Sequence, residues 1–203
     1  MGIMNLLKAN WTGKVGQVVG AKWKNKSTIR SYTKPAYTST PAQQTIRQGF
    51  GEITSFVALF ADQIRSLSAL DTKGMSVRNS IIRLNKTQVS DGSLTPETLL
   101  VSRGGLPNVG NFVPVKKSAG AGFTATWTPA TGATISERAK VIAIFVDPTT
   151  NFAAVGAALN STGSMDVSYS VPTSAKLHVY FYLLDYRGSS RVASPSGYTD
   201  TLL

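Results

Sequence analysis

The sequence predicts an α+β chain: an N-terminal β-hairpin plus a helix-pair module, followed by an antiparallel β-sandwich. Three observations predict it. Residues 13–34 alternate apolar and polar positions. Residues 46–67 carry apolar side chains at spacings of 4, 3, 4, 3, 4 and 3. Beyond about residue 94, Gly, Ser, Thr and Pro become frequent and the period falls to two. A period of two marks strands, and a 3–4 alternation marks one helix face.

Residues 1–13 read as a short arm in which Met4, Leu6 and Leu7 are apolar. Two strands are expected at 15–22 and 27–34, around Lys24-Asn25-Lys26, because Val15, Val18, Val19, Trp23, Ile29 and Tyr32 are β-branched or aromatic. Gly13, Gly16 and Gly20 suit a strand that bends or meets another backbone closely. The hairpin interleaves its rings with Lys14, Lys22, Lys24, Lys26, Arg30 and Lys34. Those six bases, with Trp23 and Tyr32, are the candidate contacts for a polyanion or a protein interface. Rings stacking on bases beside cations meeting phosphates is a nucleic-acid pattern. An amphipathic hairpin whose aromatics pack has the same composition.

Thr40-Pro41-Ala42-Gln43 predicts a helix start, with Thr40 as N-cap, Pro41 at the first helical position and Gln43 closing a capping box. Ile46, Phe50, Ile53, Val57, Phe60, Ile64 and Leu67 then form a stripe over about six turns. These seven are the candidate helix interface, facing the next helix, the hairpin or another subunit. At roughly 2 kcal/mol each when fully buried, they organise the first half of the chain. Phe50→Asp or Phe60→Asp is expected to unfold it. A break at 70–74 leads to a second helix, about 75–86, with Val77, Ile81 and Leu84 on its apolar side and a loop after it.

Strands are expected near 97–102, 111–115, 122–128, 139–147, 152–159, 165–171, 176–185 and 190–194. Turn signals such as Asp147-Pro148 and Arg187-Gly188 separate them. So many short strands in about 100 residues indicate a sandwich of immunoglobulin or fibronectin type, with Trp127 as its central core ring. The linker is expected around 103–108. The chain thus divides into a basic hairpin and helical assembly module, 1–103, and an Ig-like sandwich, 104–203.

Composition narrows the function. The chain has 203 residues, 42% of them hydrophobic and 15% charged, which excludes a disordered chain. Without an apolar run of about 18 residues, no membrane span is expected, and the N-terminus shows no signal peptide. Net charge is +11, and residues 1–51 hold eight Lys and Arg before the first acid, Glu52. Such a basic surface attracts polyanions: nucleic acid, anionic lipid or an acidic protein face.

No catalytic, metal or cofactor-binding residues are assigned, no cofactor is expected, and the chain reads as a non-enzyme. There is no cysteine. His178 is the only histidine and sits within a strand pattern, where a structural role is expected. No phosphate loop and no Gly-x-Ser-x-Gly elbow occur. Glu52 and Asp62 stand ten positions apart on one helix pattern, too far for a paired acid and base.

Gly13-Lys14-Val15-Gly16, Val19, Trp23-Lys24, Ile29-Arg30, then Thr40-Pro41, Gln44, Arg47 and Phe50, form one pattern. Thr126-Trp127-Thr128, Asp147, Asp185, Gly188, Ser194, Ser196 and Tyr198 extend it. The whole resembles an uncharacterised family of Bacteroidota bacteria and their phages, with Asn25 where that family has glycine. The resemblance implies no activity. It implies a phage context, and so a virion structural component (ring, tail, neck or capsid-associated) made in the host cytoplasm and located in the virion. Its partners would be copies of itself and other virion proteins. A nucleic-acid-binding or packaged virion protein is the alternative, and a carbohydrate-binding adhesin module the second alternative.

Overall fold

The computed structural model describes residues 12–23, 26–34, 39–70, 74–117, 122–168 and 176–202. The chain divides into two compact units, residues 1–40 and 41–203. The expected arm and the Lys24-Asn25 turn lie outside the described residues, apart from Thr12 and Gly13.

The first unit contains a three-stranded antiparallel meander: β1 (Gly13–Val15), β2 (Val18–Trp23) and β3 (Lys26–Ser31), in that order. The pattern predicts two strands here, and the structure has three. The extra strand arises because Val15 pairs with Val18 across Gly16-Gln17, and Gly16 takes φ +59°. Glycine enters that left-handed region at little cost, so the chain reverses in two residues.

The second unit is mixed α and β. Helix α1 (Pro41–Ala58) begins at the predicted proline. The regular helix ends at Ala58, and mixed i→i+3 and i→i+4 bonds wind the chain on to Leu67. The stripe therefore spans two kinds of winding, held on one side by packing. Ile53, Val57, Phe60 and Ile64 are fully buried and Leu67 packs against them. Ile46 and Phe50 are half exposed, at 49% and 50%. The expectation that Phe50→Asp unfolds the chain is overturned, since that ring sits outside the core.

Helix α2 (Val77–Leu84) starts at Ser76, whose Oγ accepts the Asn79 amide. The predicted loop after it is instead a short helix, α3 (Lys86–Asp91). Buried Asn85 sets the break. Its Nδ2 donates to the carbonyls of Ile81 and Leu100, and its Oδ1 accepts the Leu100 amide. Such a side chain substitutes for the missing main-chain partners at a helix end. Gly49 of α1 lies where an added Cβ would come within 2.6 Å of the Val89 carbonyl, so α1 and α3 approach only because this residue is glycine.

Eight strands follow: β4 (Gly110–Lys116), β5 (Phe123–Thr128), β6 (Lys140–Asp147), β7 (Phe152–Leu159), β8 (Ser164–Val167), β9 (Lys176–Arg187), β10 (Ser190–Ala193) and β11 (Gly197–Leu202). β4-β5-β8 form one sheet. β10-β9-β6-β7 form the other, with β11 pairing the first half of β9 while β10 pairs its end. All pairings are antiparallel.

Three expectations change. No strand forms over 97–102: a 3-10 turn occupies Pro96–Thr98. The amides of Leu100 and Val101 go to the side chains of Asn85 and Ser196 instead of a neighbouring strand. β11 is an additional strand that the pattern does not predict. The predicted linker is packed, since Leu106 and Val109 are buried and the Leu106 amide bonds Ala193 O.

The central pair β6 and β9 explains why. Val141, Ala143 and Phe145, with Leu177, Val179 and Leu183, face the three-stranded sheet, where Phe123, Ala125 and Trp127 complete the cluster. Ile142, Ile144 and Val146, with Tyr180, Tyr182 and Leu184, face α1 and α2. Successive residues of a strand point to opposite faces, so a strand buried on both reads as a continuous apolar run. The helices and strands therefore share cores. The division falls after Thr40, not between 103 and 104.

Candidate functional site: the basic ribbon

The ribbon β1-β2-β3 carries most of the residues singled out by charge. Its register aligns Lys14 with Val19 and Val19 with Arg30, so these three share one face across the sheet. Val15, Val18, Gly20, Lys22 and Ile29 alternate onto the other face. Trp23 and Lys26 are backbone partners where β2 meets β3. Lys24 lies outside the described residues, and Lys34 follows β3 as an exposed residue.

Lys14, Lys22, Arg30 and Tyr32 are exposed. The Lys14 ammonium sits 3.5 Å from the centroid of the Tyr32 ring. That cation–π contact, together with the Tyr32 amide bonded to Gln17 O at 2.7 Å, pins the end of the ribbon. Thr28 Oγ1 donates to Ala21 O across the strands.

None of the ribbon's described residues belongs to the buried apolar core. Val15 is 67% exposed, and Ile29 is exposed as well. A small sheet that buries no face of its own is marginal in water. The ribbon thus displays cations and apolar side chains together, with no acid among residues 12–34 to neutralise them.

The predicted helix interface separates. Ile53, Val57, Phe60 and Ile64 are core residues of the second unit, leaving only Ile46 and Phe50 exposed. Their period alone could not show where the helix overhangs its support.

Several ionisable groups of the second unit are engaged in structure. His178 is buried, its Nδ1 lies 2.8 Å from Tyr198 Oη, and its ring meets Phe56 edge-on. Burial holds its pKa below the usual 6.5. Asp185 is buried and accepts from Ser136 N, Ser136 Oγ and the Tyr186 amide. Burial alone pushes that carboxyl up, but the Ser136 and Tyr186 hydrogen bonds and the nearby Arg187 charge outweigh it, and its pKa is lowered. Asp147, fully buried, accepts from Thr149 and Thr150 in its own turn. Tyr180 and Tyr182 send their hydroxyls to Pro96 O and Leu67 O, so β9 tethers the helical layer. Burial drives both phenols up, keeping them neutral donors. Among the described residues, no three His, Asp or Glu are grouped to hold a metal ion. Among the same residues, no helix is long and apolar enough to cross a membrane.

Compared with known proteins, the sequence matches no family model and no curated protein.

Trp127, expected as the core ring, is 5% exposed, stacks near Phe112 and donates its indole N–H to Asn160 O at 3.0 Å. Its ring is therefore closed to a sugar.

Proposed function

We propose that this protein is a non-enzymatic structural component of a phage virion, acting in many copies through protein–protein contacts. It would serve in a ring, tail, neck or capsid-associated position. The observation that carries this reading is the exposed ribbon. It joins Lys14, Lys22 and Arg30 to exposed Val15 and Ile29 on strands that bury no core. Lys14 and Arg30 lie on one face and Lys22, Val15 and Ile29 on the other; the latter face suits an acidic protein surface with an apolar centre, because the charge steers and the apolar residues bind. The family resemblance across Gly13–Phe50 supports the phage context.

In this reading the second unit carries an immunoglobulin- or fibronectin-type sandwich. Its two sheets, β4-β5-β8 and β10-β9-β6-β7 with β11 also pairing β9, pack as a three-stranded layer against a five-stranded one. Two packed antiparallel sheets of this kind support the sandwich reading. The helices then cover the outer face of the larger sheet.

The test is to locate the protein in purified particles and measure its oligomeric state after gentle disruption, by light scattering. Multi-copy assemblies are expected, and the combined Lys14→Ser, Lys22→Ser and Arg30→Ser variant should fold but fail to assemble. Absence from particles, or a monomer under all gentle conditions, overturns the proposal.

The charge pattern also favours a second reading, nucleic-acid binding. The Lys14–Val19–Arg30 row lies on one ribbon face, and no acid occurs among residues 12–34. Phosphate contacts release counterions, so affinity would fall steeply with salt. The absence of DNA binding at low salt removes this reading.

A further inference from the structure

A second basic feature belongs to the larger unit. A cavity of about 670 Å³ opens between the winding that follows α1, the start of α2 and strand β10. Arg65, Arg78 and Arg191 line it, and Asp62 supplies the one carboxylate among the described lining residues. Three guanidinium groups come from three separate stretches of chain. The fold brings them together, since no sequence motif does.

Two of the three are held in place from behind. Arg78 Nη2 donates to Thr54 O at 2.9 Å, and Arg191 Nη1 donates to Ser68 O at 3.2 Å. Each uses one N–H of its fork on a main-chain carbonyl and leaves the other donors without a protein partner among the described residues. Arg78 Nε is buried and has no hydrogen-bond partner among the described residues. Arg65 is exposed, and its side chain has no partner among the described residues. Ala61, Leu70 and Val77 supply apolar wall. The volume lies within the range of small-molecule sites, about 300–1,000 Å³.

We infer that this cavity is an oxyanion site, taking a phosphate or carboxylate group carried on a small organic body. Guanidinium forks match both groups through paired N–H···O bonds, and the pinned Arg78 and Arg191 lose little freedom on binding. The apolar wall accepts the uncharged part of the ligand. Its lining residues all belong to the second unit.

Inorganic phosphate and succinate are the probes, each titrated into the full chain against sodium chloride of equal ionic strength. Binding is read by calorimetry and by the thermal unfolding midpoint. The wild-type protein should bind at least one probe beyond the chloride control. A response to phosphate assigns a phosphate-bearing ligand, and a response to succinate a carboxylate-bearing one. Arg65→Gln should weaken binding about tenfold with the fold intact, because that side chain supports nothing else. Arg191→Gln should weaken it similarly. Arg138→Gln, an exposed change outside the cavity, should leave it unchanged. Overturning results are a response to both probes no larger than to chloride, or an equal loss in Arg138→Gln and Arg65→Gln.

Discussion

The ribbon β1-β2-β3 and the strand pair β6-β9 are both antiparallel, and both carry β-branched and aromatic residues. They end in opposite environments. Val141 to Asp147 is buried residue after residue, because helices cover one face of the sheet and β4-β5-β8 the other. In the ribbon, Val15 and Ile29 remain exposed. The difference teaches that strand pattern specifies a face, while burial depends on whether another element reaches it. The β6-β9 pair stabilises the fold. The exposed Val15 and Ile29 of the ribbon contribute to free energy chiefly when a partner covers them.

The largest contrast should come from two rings on one stripe. Phe60→Ala, at a fully buried position, should lower unfolding free energy by about 3–5 kcal/mol. Phe50→Ala should cost well under about 1 kcal/mol, since the ring is already half exposed. Urea unfolding of the two variants measures both, and equal losses would place Phe50 in the core after all.

Next in size is the α1–α3 contact. Gly49→Ala forces a Cβ against Val89 O and should cost about 1–3 kcal/mol, despite alanine's better helix propensity. A stabilised Gly49→Ala protein would show that the helices separate freely. Asn85→Ala leaves the Leu100 amide and the Ile81 and Leu100 carbonyls without this partner, and should cost about 1–3 kcal/mol by the same measurement.

A smaller effect depends on pH. His178 has a folded-state pKa lowered by burial, so the unfolded chain binds the proton more readily. Its contribution is full above the ordinary 6.5 and is lost as pH falls through that value toward the folded pKa. The denaturation midpoint should drop between neutral pH and about pH 5, and His178→Gln should flatten that segment. Asp185, lowered from 3.8, acts in a separate window, losing its contribution as pH falls below the ordinary carboxylate range.

The smallest stability effect belongs to the ribbon. Replacing Lys14, Lys22 and Arg30 by Ser should shift the midpoint of the larger unit by no more than about 0.5 kcal/mol, while self-association changes. A large stability loss would mean that these cations support the fold.

Much of the fold was legible locally. The starts of α1 and β9, the run of β6 and the strands β4, β5, β7 and β10 follow from caps, turns and period. β11 escapes such a reading because Gly197–Leu202 is short and polar, and becomes a strand only by pairing with β9. The apolar alternation at Leu99 and Val101 suggests a strand over 97–102. Both residues are indeed buried, yet side chains rather than a neighbouring strand satisfy the amides of Leu100 and Val101. At the candidate site, the bases of the ribbon were visible as a run without acids. The arginine cavity was not, because Arg65, Arg78 and Arg191 are scattered along the chain.

By itself, then, the sequence determined the mixed α and β class, the helix stripe and the concentration of positive charge before Glu52. Spacing and composition are local properties, and local steric and solvation rules act on them directly. Only the tertiary structure decided that the helices and strands share one core, that the stripe's first two residues overhang it, and that three distant arginines meet. Those outcomes depend on which surfaces come into contact, and contact between distant segments leaves no period in the chain.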